Sequence, residues 1–169
     1  MEDELLDLVN EFDQVIGQEY RSNVYKNQLK YTRVVNAFIV NSKGQLWIPR
    51  RTAHKELFPS ALDVRVGGHV SASENYETAF WREAQEELGL DIRNISYTFH
   101  SYFSPIQHNV SCFMQTYEIF ADEIPPFNKN DFSEYYWLYP QEILDRIEKG
   151  DTSKGDLPKL IKLMYLNSK

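Results

Sequence analysis

The sequence predicts an α+β fold, an α/β/α sandwich built around a mixed sheet, and three observations support this prediction. Segments rich in β-branched and aromatic residues surround one long amphipathic helical segment over residues 76–88. A second helical segment, over residues 140–148, follows the strands and can cover the other side of the sheet. The chain has 169 residues, is 42% apolar and shows no long linker, so one domain over residues 1–169 is expected.

The N-terminal segment admits two interpretations. Its apolar residues have a spacing that fits one face of a helix, and they fit a β-hairpin equally well. The hairpin would pair Leu5–Val9 with Val15–Tyr20 through a turn at 11–14, and the family resemblance described below favours it. Ser22 is expected to cap a short helical turn that runs through Lys26.

The central part of the chain reads as a hairpin followed by a loop and a short strand. In order, the predicted elements are the strand Val34–Val40, the turn 41–44, the strand Gln45–Arg50, the loop 53–60 and the strand Leu62–Val66. Pro49 indicates an edge or a bulge near the end of its strand, because proline cannot donate to a sheet ladder.

The C-terminal half alternates helical and β-rich segments. A helix is predicted over Tyr76–Leu88, and Ser104-Pro105 separates two β-rich segments. The remaining elements are the β-rich segments Ile92–Phe103 and Val110–Phe120, the loop 122–130, the strand Tyr135–Leu138, the helix Pro140–Glu148 and the helix Asp156–Leu166.

Composition excludes several classes of protein. The net charge is −7, which argues against a nucleic-acid surface, because such a surface needs a basic stripe. Cys112 is the single cysteine, so no internal disulfide is expected and the chain suits a reducing cytoplasm. No apolar run approaches transmembrane length, and no membrane contact is expected. A small anionic partner remains compatible with this charge, as does a homodimer.

Residues 68–90 carry the pattern that points most directly to a function. Gly68 is followed after five residues by Glu74, and after seven more by the run Arg82-Glu83-Ala84-Gln85-Glu86-Glu87-Leu88-Gly89-Leu90. Glu83, Glu86 and Glu87 have i, i+3 and i+4 spacing and therefore share one side of the helix. Three close carboxylates repel one another unless a cation lies among them, and oxygen ligands select hard ions such as Mg2+ or Mn2+.

Other residues of this segment support the carboxylates. Phe80, Ala84 and Leu88 form a separate apolar stripe that can pack on the sheet. Arg82 lies four residues before Glu86 and can hold that carboxylate. Gly89 is placed to end the helix, and Gly67-Gly68 is expected to let the backbone turn tightly and approach a ligand.

This pattern resembles the Nudix box, G-x5-E-x7-R-E-U-x-E-E-x-G-U with U aliphatic or small, and it matches at every specified position. The resemblance implies a Nudix fold with a strand–loop–helix box, and hydrolysis of nucleoside diphosphates linked to another moiety with a divalent metal. It implies metal ligation by Glu83, Glu86, Glu87 and the Gly68 carbonyl. Glu83 or Glu87 would be the general base. Arg82 would orient the glutamates, and Glu74 would orient Arg82.

The residues upstream of the box resemble a narrower group, the isopentenyl diphosphate isomerase-like branch. The similarity lies in residues 45–59 and implies that Arg51 and Lys55 contact diphosphate oxygens, which suits an arginine fork and a lysine point charge. The chain departs from true isomerases because residues 62–68 contain no cysteine and because Gln107 and Asn109 replace an acidic pair.

The expected function is therefore Mg2+-dependent hydrolysis of a phosphoanhydride bond in a nucleoside diphosphate derivative or related diphosphate. An isopentenyl diphosphate isomerase and a non-catalytic Nudix-fold binding module are the alternatives, although such modules typically lose box glutamates. Asp131 and Glu134 precede Trp137, where many relatives place a further acid, and a capping or turn role is an equal alternative for both.

Overall fold

The computed structural model places helices on both faces of a mixed sheet and describes residues 3–29, 31–64, 66–89, 91, 94–123, 126–127 and 129–166. In chain order the strands are β1 (Leu5–Val9), β2 (Val15–Tyr20), β3 (Arg33–Val40), β4 (Leu46–Arg51), β5 (Val66–His69), β6 (Ser96–Phe103), β7 (Phe113–Phe120) and β8 (Phe132–Leu138). The helices are α1 (Arg21–Lys26), α2 (Tyr76–Leu88), α3 (Pro105–His108), α4 (Pro140–Glu148) and α5 (Leu157–Ile161), and a π-helical segment over Lys162–Leu166 follows α5.

The main sheet has six strands in the order β6-β7-β3-β4-β8, with β5 also paired to β3. β3 and β7 run parallel and the other pairs are antiparallel, which confirms the predicted mixed sheet. One edge of β3 is shared, because β5 pairs with Val34–Ala37 while β4 pairs with it only at Val40. β4 and β5 therefore separate from each other, and the site described below lies between them.

Alternate residues of β3 supply the two hydrophobic layers that make the sandwich. Val35, Ala37 and Ile39 pack with the apolar stripe of α2, as the pattern of that helix predicts. Phe38 points to the opposite face and packs with Ile143 of α4 and the buried residues of α5. The α/β/α arrangement expected from the sequence is confirmed.

Local hydrogen bonds explain where α2 begins and ends. The Asn75 side chain accepts from the Thr78 backbone N–H at 2.9 Å, and Thr78 Oγ1 accepts from the Asn75 N–H at 3.3 Å. Gly89 adopts φ 62°, and its N–H donates to the Gln85 carbonyl. Glycine reaches this left-handed conformation without a Cβ penalty, so the predicted end of the helix is confirmed.

The N-terminal hairpin is present, while the predicted cap of the following helix is wrong. β1 and β2 pair antiparallel as a separate two-stranded sheet. α1 begins at Arg21, so Ser22 lies inside it. The Ser22 side chain and backbone N–H both bond to the carboxylate of Asp3, and this non-local acid replaces the expected serine cap.

The strand predicted over Leu62–Val66 is also wrong. Leu62 makes only isolated bridges, and pairing with β3 begins at Val66, which lies opposite Ala37. The Asp63 backbone has another partner, because its N–H donates to the Pro49 carbonyl, and Arg65 lies outside the described residues. The bulge expected near Pro49 is confirmed by a register shift between Arg50 and Arg51.

The boundaries of four further elements differ from prediction. Pro105 begins the helix α3, whereas the sequence predicted only a break between two β-rich segments. The Ser111 N–H bonds to the Asp156 carboxylate, and β7 starts after it, at Phe113. β8 starts at Phe132 because its ladder with β4 extends to Arg51. β6 starts at Ser96, while the predicted start, Ile92, lies outside the described residues. No helix in the described parts of the chain is long and apolar enough to cross a membrane.

Candidate active site

A cavity of about 260 Å³ lies where β4 and β5 separate, and it brings predicted site residues together. Its acidic lining residues are Asp63, Glu83, Glu86, Glu87 and Asp131, and its basic lining residues are Arg51, Lys55 and Lys154. The described lining residues therefore carry three positive and five negative side chains, a net charge of −2. A polyanion can enter such a cavity only if further positive charge enters with it, which favours a divalent cation as partner.

Glu83 occupies a position that only a glycine at 68 allows. Gly67 and Gly68 lie within β5, opposite Asn36 and Val35, so the tight turn predicted for them is wrong. The predicted approach of this backbone to a ligand stays a prediction; what Gly68 makes room for in the structure is Glu83, because a methyl group at position 68 would lie 1.9 Å from Glu83 Oε1. Glu83 is 8% exposed, and this burial raises the pKa of its carboxyl group while Arg82 opposes the rise.

Arg82 connects the box carboxylates to one another. Its Nε and Nη2 bind the two oxygens of Glu74 at 3.1 and 2.9 Å, and its Nη1 lies 2.7 Å from Glu83 Oε1. Nη2 also donates to the His69 carbonyl, and Nη1 lies 3.5 Å from Glu86. Hydrogen bonding to Glu74 raises the pKa of the Arg82 guanidinium above its usual range, so the arginine is a permanent positive charge that fixes Glu83.

The carboxylate oxygens of the box are suitable ligands for a hard divalent cation. The side chains that carry them do not converge on one point. Within the described residues, no group of three His, Cys, Asp or Glu side chains is close enough to hold a metal ion. Glu83 contacts Arg82, and Glu87 Oε2 accepts from the Gly67 N–H at 3.2 Å. The Glu86 side chain is 59% exposed and can turn. These three carboxylates supply oxygen-only ligands on one cavity wall, the donor chemistry that Mg2+ and Mn2+ prefer.

Mg2+ or Mn2+ is expected to raise the thermal midpoint of unfolding, because a ligand bound only by the native state stabilises it. At a concentration of about 100 times Kd, the increase should be about 5–10 °C. Scanning calorimetry with millimolar metal, and with EDTA, measures the difference. A variant with both Glu86→Gln and Glu87→Gln should lose the metal-dependent increase. An identical midpoint for the wild type under the two conditions would contradict metal binding.

Arg51 and Lys55 both reach the cavity, and each has an acidic neighbour there. Arg51 Nη1 lies 2.8 Å from Asp63 Oδ2, and its Nε donates to the Leu57 carbonyl at 3.2 Å. Lys55 pairs with Asp131, which places that candidate acid in the site. Both predicted phosphate ligands thus line the same cavity as the box glutamates.

Glu134 does not join this site. It lies on β8, where its Oε1 contacts Arg50 Nε at 2.7 Å and accepts from the Tyr136 hydroxyl at 2.6 Å. Those two partners lower the pKa of its carboxyl group. The ion pair with Arg50 and the hydrogen bond from Tyr136 give Glu134 a structural role on β8.

His69 and Cys112 have reactive side chains, but their surroundings indicate structural roles. His69 is buried, with its Nε2 3.0 Å from the Tyr25 hydroxyl, and burial lowers its pKa to about 4, so the ring is neutral at pH 7. Cys112 lies beside Thr32, and burial raises the pKa of its thiol. Neither is among the described residues that line the cavity.

The N-terminal hairpin supports the loop of the box. Asp7 of β1 is buried, and its Oδ2 accepts from the Ser73 N–H at 3.0 Å. Ser73 has φ 65°, an uncommon conformation for a residue other than glycine. The next residue, Glu74, holds Arg82 through both carboxylate oxygens. Asp7 therefore stabilises the backbone that aims Glu74 at Arg82.

Asp7→Ala is expected to lower kcat about tenfold, because Ser73 loses the contact that holds its left-handed backbone. Adding Ser73→Gly should restore part of the rate, since glycine adopts this conformation without strain. Steady-state kinetics of the two variants would be compared with Glu11→Ala, which removes an exposed acid from the hairpin turn. Equal kcat in Asp7→Ala and the wild type would show that the hairpin does not position the box.

Sequence reasoning did not identify Asp63 or Lys154 as cavity residues. Asp63 is only 3% exposed and lies in a segment that was expected to be an ordinary strand. Lys154 follows α4, more than sixty residues after the box, and no local pattern marks it. Its N–H donates to the Leu62 carbonyl at 2.8 Å, a long-range contact that brings it to the cavity.

The chain is similar to known proteins over most of its length. A family model described as the NUDIX domain matches residues 30–158. An uncharacterized Nudix hydrolase from Nostoc is 49% identical over 164 residues, covering 97% of each chain. A Nudix hydrolase from Deinococcus radiodurans is 51% identical over 163 residues, covering 96% of this chain and 95% of the relative.

Solved structures show the same similarity in three dimensions. The crystal structure of a Deinococcus radiodurans protein superposes with a TM-score of 0.90 at 51% identity, covering 96% of this chain and 99% of the other. A MutT protein from Methanosarcina mazei superposes with a TM-score of 0.59 at 19% identity, covering 79% and 92%. The second similarity concerns the fold alone.

Proposed function

The chain belongs to the Nudix family and is a hydrolase acting on acid anhydrides, and we propose that it cleaves a phosphoanhydride bond of a nucleoside diphosphate derivative or related diphosphate with Mg2+ or Mn2+. One observation carries the proposal. The same cavity is lined by the carboxylates of Glu83, Glu86 and Glu87 and by the cations Arg51 and Lys55. Carboxylates suit a divalent cation, and the two basic side chains suit phosphate oxygens.

The reaction breaks one P–O bond and forms another. Water oxygen attacks phosphorus, the bridging P–O bond breaks, and the leaving phosphate departs with the bridging oxygen. When bound, the divalent cation would neutralise charge on the transferring group and lower the pKa of water. Glu83 or Glu87 takes the proton from the attacking water. The raised pKa of Glu83 suits proton acceptance, while Arg82 keeps its carboxylate in position.

We further propose that the chain resembles the isopentenyl diphosphate isomerase-like branch in how it binds phosphate. We do not propose that it catalyses the isomerase reaction. The support for this resemblance is the placement of Arg51 and Lys55 on the cavity wall. Isomerisation needs an acid and a base at carbon, and the described cavity residues include no cysteine. Gln107 and Asn109, which replace the acidic pair of true isomerases, lie in α3 and directly after it. A silent binding module is also disfavoured, because every box glutamate is retained.

Arg51→Ala is expected to raise KM with little change in kcat, because the arginine binds phosphate in both the ground and transition states. Loss of a charge-assisted contact costs about 1.5–3 kcal/mol, or about ten- to a hundredfold in kcat/KM. Arg51→Lys should recover only part, since lysine lacks the bidentate fork. Kinetic constants at fixed Mg2+ provide the measurement, with Arg21→Ala as a control on an exposed arginine of α1.

An unchanged kcat/KM for Arg51→Ala would mean that phosphate is bound elsewhere. The function itself is tested by a substrate screen with Mg2+ that includes nucleoside diphosphates, nucleotide sugars, dinucleotides and isoprenyl diphosphates. Production of two phosphate-bearing fragments, or of orthophosphate and a monophosphate, is the expected result for at least one class. Isomerised product without cleavage would favour the isomerase alternative, and no turnover of any class would contradict the proposal.

A further inference from the structure

Lys154 is held at the cavity by a segment with a defined backbone position. The Leu62 N–H donates to the Thr152 carbonyl, and the Lys154 N–H donates to the Leu62 carbonyl, both at 2.8 Å. Leu62 directly precedes Asp63 of the cavity lining. Both main-chain polar groups of Leu62 are used in these two hydrogen bonds. They hold the backbone of Lys154 next to the cavity lining.

The neighbouring residues Arg50 and Arg51 have different roles. Arg50 binds both oxygens of Asp151 at 2.8 Å through Nη1 and Nη2, and Arg146 adds a contact to Asp151 at 3.3 Å. This bidentate pair is a strong, oriented interaction and secures the segment that carries Lys154. Arg51 points the other way, into the cavity. Arg50 thus positions one cation of the site, while Arg51 is another.

Lys154 and Arg51 share one buried carboxylate. Arg51 Nη1 lies 2.8 Å from Asp63 Oδ2, and Lys154 Nζ lies 3.5 Å from Asp63 Oδ1. The side chain of Asp63 is 4% exposed, whereas that of Lys154 is 40% exposed. One carboxylate cannot neutralise two cations, so Asp63 leaves one of the two positive charges of Arg51 and Lys154 unbalanced. The longer contact leaves the flexible ammonium, with its three donors, able to turn towards a second anion.

We propose that Lys154 is a third phosphate-binding residue, which with Arg51 holds one phosphate group of the substrate, while Asp63 keeps the two cations adjacent. The inference rests on the proposed function, since it assumes that a diphosphate occupies this cavity. Lys55 differs from this pair because Asp131 is its own counter-ion. The substrate's phosphate oxygens supply the negative charge that Asp63 alone does not provide.

The test is binding of imidodiphosphate, whose bridging nitrogen resists hydrolysis, measured by titration calorimetry in Mg2+. Lys154→Ala and Lys154→Met should each weaken binding about tenfold, because one charge-assisted contact is lost. Lys154→Arg should retain most of the affinity. The matched control is Lys159→Ala, since Lys159 has a similarly exposed side chain, at 44%, and bonds to the Asn109 carbonyl away from the cavity lining. This control should bind as the wild type does.

Wild-type affinity in Lys154→Met would overturn the role of Lys154 while leaving the proposed function intact. Equal loss in the Met and Arg variants would also overturn it, because a structural role and not the positive charge would then explain the loss. If the wild type binds no imidodiphosphate with Mg2+, the proposed function fails, and this inference fails with it. In turnover assays, Lys154→Met should raise KM about tenfold with kcat nearly unchanged.

Discussion

Glu87→Gln is expected to lower kcat by at least about a hundredfold while the fold remains intact. The amide keeps the size of the side chain and can still accept from the Gly67 N–H. It cannot supply the negative charge that a divalent cation needs, and it cannot take a proton from water. Steady-state kinetics at saturating Mg2+, with circular dichroism to check the fold, make the measurement.

Glu77→Gln is the matched control, because Glu77 lies in the first turn of the same helix, is exposed, and is not among the described residues that line the cavity. This variant should turn over substrate at the wild-type rate. If Glu87→Gln also did so on the best substrate, the box carboxylates would have no catalytic role, and the assignment of this cavity as the active site would be wrong.

Gly68→Ala is expected to reduce kcat by about a hundredfold or more without unfolding the protein, because a displacement of about 1 Å at a reacting group can cost that much. The added methyl group would overlap the carboxylate of Glu83, the flexible end of a long side chain. The side chain can move away, so the strand pairing of β5 survives while Glu83 loses its position beside Arg82.

Gly17→Ala provides the comparison for this substitution. Gly17 also lies in a strand, and a methyl group there would meet nothing within 4 Å. Kinetics and thermal midpoints of both variants separate loss of the site from loss of the fold. Full activity in Gly68→Ala would show that the position of Glu83 against β5 is irrelevant to catalysis.

Local sequence patterns were sufficient for most of the box and for the sandwich. The residues from Gly68 to Gly89 specify the helix α2, its end at Gly89, its buried stripe and the carboxylates that reach the cavity, because helical spacing sets which residues share a face. The pairing of Glu74 with Arg82 also follows from that pattern. The last position of the box, Leu90, lies outside the described residues.

Long-range contacts account for what the sequence did not reveal. β5 begins only at Val66 because β3 defines where its ladder starts, and a short apolar run cannot show this. Lys154 reaches the site through backbone bonds to Leu62, nearly a hundred residues earlier. Glu134 has the residue type and chain position of a site acid, yet Arg50 and Tyr136 hold it in an ion-pair cluster on β8.

These carboxylates and cations are proposed to act together on a phosphoanhydride bond with a divalent cation. Phosphorus NMR of the best diphosphate substrate follows that bond, because each phosphate group gives its own resonance. With Mg2+, the coupled resonances of the P–O–P unit should disappear as two uncoupled product resonances grow, and with EDTA they should persist. Cleavage at an undiminished rate in EDTA would contradict this mechanism, as would a P–O–P unit that stays intact in Mg2+ while the rest of the substrate changes.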